Sequence, residues 1–120
     1  MTKKRWKAKI KKAATAAGTY KPVFDSVIDK LAGILERRDA AQQMFEESGG
    51  AVLVKHTNKG GATNIVQNPA LRMVNDLERD ALTYWRDLGL TPAGLKKIND
   101  EAFKAKPESA LAAALRELDN

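Results

Sequence analysis

A run of apolar residues at steps of three and four fills residues 22–47 and constrains the fold more than any other feature of the chain. This spacing places side chains on one face of an α-helix. The apolar positions are Phe24, Val27, Leu31, Ile34, Ala41 and Phe45 along the face and Val23, Ile28, Leu35 and Met44 at its edges. The face is too wide for a surface helix with one shallow contact. We therefore predict a long helix that packs against a second helix and keeps apolar surface for another subunit.

A second long helix is predicted from residue 69 to about residue 88. Asn68 is a suitable N-cap, and Pro69 fits the first helical position because proline needs no hydrogen-bond partner there. Gly89 is a natural stop. Thr91-Pro92 repeats the cap-plus-proline signal and starts a third, shorter helix. The apolar positions of the second helix are Leu71, Val74, Leu77, Ala81, Leu82, Trp85 and Leu88.

Two short β-prone runs, residues 51–56 and 63–67, lie between the long helices and flank a turn that contains Gly and Asn. They predict a small β-hairpin over about residues 51–67. An isolated hairpin is only marginally stable, so it needs support from the helices or from another protomer. We expect an oligomer interface formed by Phe24, Val27, Leu31, Ile34, Val52 and Val54.

The predicted fold is mainly α, a long antiparallel helical hairpin with a small β-hairpin insertion. We divide the chain into a basic flexible arm (1–18), a helical oligomerisation core (19–104) and a C-terminal short helix or tail (105–120). A domain of this size buries only about two-thirds of its unfolded surface. Oligomerisation would therefore extend its core.

The positive charge of the chain is concentrated in the arm. Residues 1–12 hold seven bases and no acid, which leaves 14 basic against 15 acidic residues, or −1, in the rest of a chain of net charge +6. Such a segment favours salt-sensitive, largely sequence-independent binding to DNA, although a solvated tail that aids solubility is the alternative. Trp6 among the bases is suited to stacking on a base or packing on a partner. The expected DNA-binding residues are Lys3, Lys4, Arg5, Trp6, Lys7, Lys9, Lys11 and Lys12.

A second candidate for DNA binding is the turn at Leu88-Gly89-Leu90-Thr91-Pro92, which has the form of a helix-turn-helix joint. The following helix carries Lys96, Lys97 and Asn99. Asp100 and Glu101 would face phosphates unfavourably, and an ordinary interhelical corner explains the turn better. The alternative function that this turn supports is a small dimeric helix-turn-helix DNA-binding regulator.

Several functional classes find no support in the sequence. The chain has no cysteine, so it has no disulfide or thiolate metal site. No apolar run approaches the roughly 18 residues that span a membrane, and we expect no membrane partner. His56 is the only histidine and completes neither a catalytic triad nor a metal site, so an enzyme centred on it is the weakest hypothesis. We predict no enzymatic activity, no metal and no cofactor.

The order of segments resembles one family of phage terminase small subunits over roughly residues 22–98. In that family a Lys/Gln-Asn-Pro-Ala-Leu helix start and a Leu-Gly-Leu-Thr-Pro turn recur at this distance. The matching segments are Glu46-Glu47-Ser48-Gly49-Gly50, Val52-Leu53-Val54, Gln67-Asn68-Pro69-Ala70-Leu71-Arg72 and Leu88-Gly89-Leu90-Thr91-Pro92-Ala93.

The resemblance implies a ring-like homo-oligomer that binds double-stranded viral DNA in the host cell cytoplasm. It also implies delivery of that DNA to the large terminase subunit, which holds the ATPase and nuclease and is regulated by the small subunit. The family offers no catalytic residues to carry over. The C-terminal leucines are the candidate contact with the large subunit, or they close the protomer's own core: Leu111, Leu115 and Leu118.

Overall fold

The computed structural model describes residues 1–105, which form four α-helices and a two-stranded sheet inserted between the second and third helices. A short 3-10 turn at Pro22–Phe24 leads into the second helix. The elements are α1 (Lys3–Ala17), α2 (Asp25–Glu47), β1 (Leu53–Thr57), β2 (Thr63–Gln67), α3 (Pro69–Asp87) and α4 (Pro92–Ala105). The predicted C-terminal contact residues Leu111, Leu115 and Leu118 lie outside the described residues.

Helices α2 and α3 form the predicted antiparallel hairpin. Near its middle, Arg38 of α2 forms a 3.3 Å ion pair with Glu78 of α3. The main buried cluster joins both helices to α1, and its members are Ile10, Ile28, Leu31, Ala32, Ile34, Leu35, Ala81 and Leu88. The mainly helical fold with a small antiparallel sheet is therefore confirmed.

Asn68 fixes the start of α3, as the sequence predicted. Its side-chain oxygen accepts a 3.0 Å hydrogen bond from the backbone N–H of Ala70 in the first helical turn. Its amide nitrogen donates to Ser48 Oγ (2.9 Å) and to the carbonyl of Ala51 (3.0 Å), and its backbone N–H donates to the carbonyl of Val52 (2.8 Å). Asn68 is buried, so one side chain ties together the end of α2, the entry to the sheet and the cap of α3.

The predicted β-hairpin is present. Its strands pair in antiparallel register from Leu53 opposite Gln67 at the base to Thr57 opposite Thr63 near the tip. Leu53 and Ile65 are 61% and 70% exposed, respectively. The hairpin therefore carries large apolar side chains that the helices of its own protomer do not cover.

Residues 1–18 do not form the flexible arm that the sequence predicted. Residues 3–17 form helix α1, which packs antiparallel to α2. Ile10 and Ala14 are completely buried, and Trp6 packs against the core one turn earlier. These positions, each four residues apart, give the basic segment an apolar stripe that holds it on α2. The inference that Trp6 and Ile10 would share one side of a helical arm agrees with this arrangement.

Docking of α1 corrects part of the predicted oligomer interface. Leu31 and Ile34 are 0% and 4% exposed and lie in the core of the protomer, so no second subunit can reach them. The apolar side of α2 that we expected a neighbouring subunit to cover is covered by α1. Phe24 and Val27 are half-buried and pack against the same core. Val52 and Val54 lie at the base of the sheet, and Val52 is 57% exposed.

Helices α3 and α4 meet at a tight corner. Gly89 has a φ of +70°, a left-handed conformation that favours glycine, and it ends α3. Thr91 Oγ1 accepts a 3.0 Å hydrogen bond from the backbone N–H of Gly94 and caps α4. Gly94 lies so close to α3 that a Cβ atom there would clash with the carbonyl oxygen of Arg86. The corner therefore depends on direct contact between the backbones of the two helices.

Candidate nucleic-acid interface

Helix α1 carries seven bases, which occupy the helix positions around the buried apolar stripe. Thr2 caps its N-terminus by accepting a hydrogen bond from the backbone N–H of Arg5, and Gly18 ends it with a φ of +76°. No acid lies within the helix. The direction in which each basic side chain points therefore depends on the rotation of α1 about its axis against α2.

Two of the bases face α2. The ammonium group of Lys3 lies 2.9 Å from a carboxylate oxygen of Asp29, and that of Lys7 lies 3.6 Å from the other. The hydrogen bond from Lys3, with the positive charges of both lysines, holds the pKa of Asp29 below its ordinary value. The charges of these two lysines are therefore partly offset within the protomer.

The side chain of Trp6 also makes its contacts within the protomer. Its indole N–H donates a 2.7 Å hydrogen bond to Asp39, and its ring lies between Lys9 and Arg38, 5.0 and 5.7 Å from the ring centre. The ring packs partly against the core. Trp6, which the sequence suited to stacking on a base or packing on a partner, thus packs and forms a hydrogen bond within the protomer.

Asp39 receives three donors, of which Arg38 Nε lies 3.0 Å from one carboxylate oxygen. The indole of Trp6 and the α-amino group of Met1, the latter at 3.0 Å, both donate to the other oxygen. Partial burial acts to raise the pKa of Asp39, but these two hydrogen bonds and the nearby Arg38 outweigh it and hold the pKa below its ordinary value. The backbone N–H of Lys3 donates to Glu36 at 2.6 Å. A strip of acids on α2 thus receives the first turns of α1.

The remaining bases point away from α2. Lys11 lies over the ring of Tyr20, with its ammonium group 5.0 Å from the ring centre. Lys4, Arg5 and Lys12 are exposed, and within residues 1–105 they form no ion pair or contact with a ring. At about 100° per residue they lie on the side of the helix opposite Ile10. We call Lys4, Arg5 and Lys12 the outward face of α1, which is a basic surface open to a polyanion.

The acids that receive α1 were not identified from the sequence. Asp29, Glu36 and Asp39 are spaced by seven and three residues, so they lie along one side of α2. That spacing, read beside a segment with seven bases and no acid, is the signal that was available. It predicts a docked basic helix, whereas the count of bases alone predicts a free arm.

The helix-turn-helix candidate presents charges of both signs. Lys96, Lys97 and Asn99 of α4 are exposed, and so are Asp100 and Glu101. The outward face of α1 carries no acid. The exposed surface of α4 is therefore less complementary to phosphate than the outward face of α1 is.

The structure also places His56, which lies exposed on β1 opposite Asn64. Within residues 1–105 no three His, Cys, Asp or Glu side chains are grouped so that they could hold a metal ion. In the same part of the chain, no helix has the length and apolar character to cross a membrane.

Comparison with known proteins identifies a family. A family model described as phage terminase, small subunit, matches residues 2–104, which span α1, α2, the β-hairpin, α3 and nearly all of α4. No curated protein and no solved structure matches the chain.

Proposed function

The chain belongs to the family of phage terminase small subunits, which act in phage DNA packaging, and on this premise we propose that it binds double-stranded viral DNA directly. We further propose that it works as a ring-like homo-oligomer in the host cytoplasm. In this role it delivers DNA to the large terminase subunit and regulates that subunit's motor and nuclease. Small subunits of this family are generally non-catalytic, so binding and assembly are the properties to be tested.

The outward face of α1 carries the proposal. Lys4, Arg5 and Lys12 are exposed on a helix with no acid, and the apolar stripe fixes the side on which they lie. Bases that neutralise phosphates release condensed counterions, which makes binding strong at low salt and weak at high salt. Because the helix is docked, these bases are held in place before DNA arrives, and less conformational entropy is lost on binding.

The β-hairpin supports the oligomeric part of the proposal. Its base exposes Val52, Leu53 and Ile65, and a two-stranded sheet without further cover is marginally stable alone. Pairing or packing with the same element of another subunit would bury these side chains. Val52 and Val54 therefore remain in the proposed interface, and Leu53 and Ile65 join them.

The DNA-binding proposal is tested with the variant Lys4→Ala/Arg5→Ala/Lys12→Ala. Fluorescence anisotropy with a labelled duplex, repeated over a series of salt concentrations, gives the slope of log K against log salt. Since each lost phosphate contact reduces the magnitude of this negative slope by about 0.9, loss of three contacts reduces it by about 2.7. The control Lys30→Ala/Arg37→Ala/Arg79→Ala removes three exposed bases from α2 and α3 and keeps the wild-type slope. Equal slopes for the two variants would refute the assignment to α1.

A small dimeric regulator that uses α4 remains the rival function. The native mass of the purified protein, measured by light scattering with and without duplex DNA, separates the two. A single large oligomer supports the terminase role, whereas a dimer supports the rival. The variant Lys96→Ala/Lys97→Ala weakens DNA binding only under the rival. The C-terminal leucines remain our proposed contact with the large subunit.

A further inference from the structure

The β-hairpin has two chemically different halves. Its base is apolar, with Leu53 and Ile65 exposed, whereas residues 55–64 contain no apolar side chain larger than alanine. We call residues 55–64 the hairpin tip. No acid occurs between Glu47 and Asp76, so every charged residue in that interval is a base. The tip is therefore a polar projection that carries the two positive charges of Lys55 and Lys59.

The tip has a defined shape. Asn58 Oδ1 accepts hydrogen bonds from the backbone N–H groups of Gly60 (3.0 Å) and Ala62 (3.1 Å), and its own N–H donates to the carbonyl of Ala62 (2.9 Å). The hydroxyl oxygens of Thr57 and Thr63 lie 3.0 Å apart and close the last strand pair. These bonds organise the turn that presents Lys59 and reduce the entropy that a ligand must remove.

The register distributes polar side chains over both faces of the ribbon. Lys55 pairs with Ile65, and His56 pairs with Asn64, so alternation puts Lys55 on one face and His56 with Asn64 on the other. All of these side chains are exposed. Lysine is suited to phosphate, and amide, hydroxyl and imidazole groups are suited to phosphate or base edges. The major groove, about 12 Å wide, admits a two-stranded β-ribbon.

The chemistry of the tip fits nucleic acid better than protein. A protein partner would need a large apolar or aromatic anchor at the centre of the contact, and the tip has none. Position favours DNA as well. The first turns of α1 lie against Glu36 and Asp39, so Lys4 and Arg5 are in the half of the bundle nearer the hairpin. A duplex that lay along α1 from Lys12 to Lys4 would point toward the hairpin end of the bundle.

We propose that the hairpin tip is a second contact with double-stranded DNA, in which Lys55 and Lys59 bind phosphates. This proposal rests on the proposed function, because it takes DNA as the ligand, and it adds an element that is separate from the outward face of α1. The base of the hairpin contacts a neighbouring subunit, and the tip contacts the duplex. The same hairpin thereby takes part both in assembly of the oligomer and in binding of the DNA.

The test uses the full chain with Lys55→Ala/Lys59→Ala and the anisotropy titration over salt described above. Loss of two phosphate contacts reduces the magnitude of the negative slope of log K against log salt by about 1.8 and weakens binding at least about tenfold at low salt. Lys55→Arg/Lys59→Arg keeps both charges and restores the slope. Lys30→Ala/Arg79→Ala removes the same charge from α2 and α3 and leaves the slope unchanged.

The outcomes distinguish the two proposals. If the α1 variant loses affinity and the tip variant binds like the wild type, the tip contact is refuted and the proposed function stands. If the wild type does not bind duplex DNA, both fail. Native mass is measured for each variant, because Lys55 lies opposite Ile65, which belongs to the proposed subunit contact. A lower mass for the tip variant would overturn the DNA assignment in favour of a subunit contact.

Discussion

The indole N–H of Trp6 donates a 2.7 Å hydrogen bond to Asp39, and this bond joins the basic helix α1 to the centre of the helical hairpin. The two residues are 33 positions apart in the chain. The aromatic ring packs partly against the core beside Ile10, so apolar and polar contacts hold the same end of the helix. The placement of the basic surface therefore depends on an interior contact.

Replacement of Trp6 by Phe tests this contact. The variant keeps an apolar ring but loses the donor to Asp39, so we expect the free energy of unfolding to fall by about 1–2 kcal/mol. Urea denaturation followed by circular dichroism measures the change. The exposed substitution Lys4→Ala is the control and changes stability by less than about 0.5 kcal/mol. A Trp6→Phe variant as stable as the control would show that the bond does not stabilise the docked helix.

Acid is expected to release α1. The pKa values of Asp29 and Asp39 lie below the ordinary value of 3.8 because both carboxylates accept hydrogen bonds from α1. A carboxyl with a lowered pKa contributes stability above its unfolded-state value and loses that contribution as the pH falls through its folded-state value. The free energy of unfolding therefore drops as the pH falls from about 4 downward.

The variant Asp39→Asn isolates one of these carboxylates. Urea denaturation at a series of pH values should give a shallower fall in stability below pH 4 than in the wild type, together with lower stability at neutral pH. The control is Asp100→Asn, at an exposed position of α4, and its stability should follow the same pH dependence as that of the wild type. An Asp39→Asn profile that parallels the wild type would contradict the proposed linkage.

The oligomer prediction concerns the base of the hairpin. Leu53→Ser/Ile65→Ser makes two exposed apolar side chains polar without touching the protomer core, so we expect the native mass to fall while helix content is retained. Light scattering and circular dichroism measure the two properties. Val23→Ser is the matched control, because Val23 is 73% exposed at the opposite end of α2. Equal masses for both variants would remove the hairpin from the interface.

The corner between α3 and α4 is expected to tolerate no side chain at Gly94. In Gly94→Ala the new Cβ meets the backbone of Arg86, and the helices must move apart at a cost of about 1–3 kcal/mol. Gly60→Ala is the matched control, since the nearest atom to its Cβ would be a side-chain oxygen 3.4 Å away. Thermal unfolding of both variants tests the difference, and similar melting temperatures would argue against close packing at Gly94.

Helix boundaries were predictable because they depend on local chemistry. Asn68-Pro69 and Thr91-Pro92 begin α3 and α4 as expected, since a cap and a proline act within one helical turn. The apolar spacing of α2 likewise identified the helix.

The docking of α1 was missed because it depends on residues distant in the chain. The apolar stripe of α1 has only three positions, Trp6, Ile10 and Ala14, and seven bases surround it in the sequence. The acids that bind the first turns of α1 lie on α2. The same omission made Leu31 and Ile34 appear free to contact a second subunit. Which helix covers an apolar face is a tertiary property that the spacing of one helix does not contain.

Asn68 gives the hairpin a mechanical role. The hairpin leaves the helices through a buried residue that also caps α3 and holds the end of α2. A pull on the ribbon by bound DNA or by a neighbouring subunit therefore acts on the first turn of α3, because no slack linker lies between them.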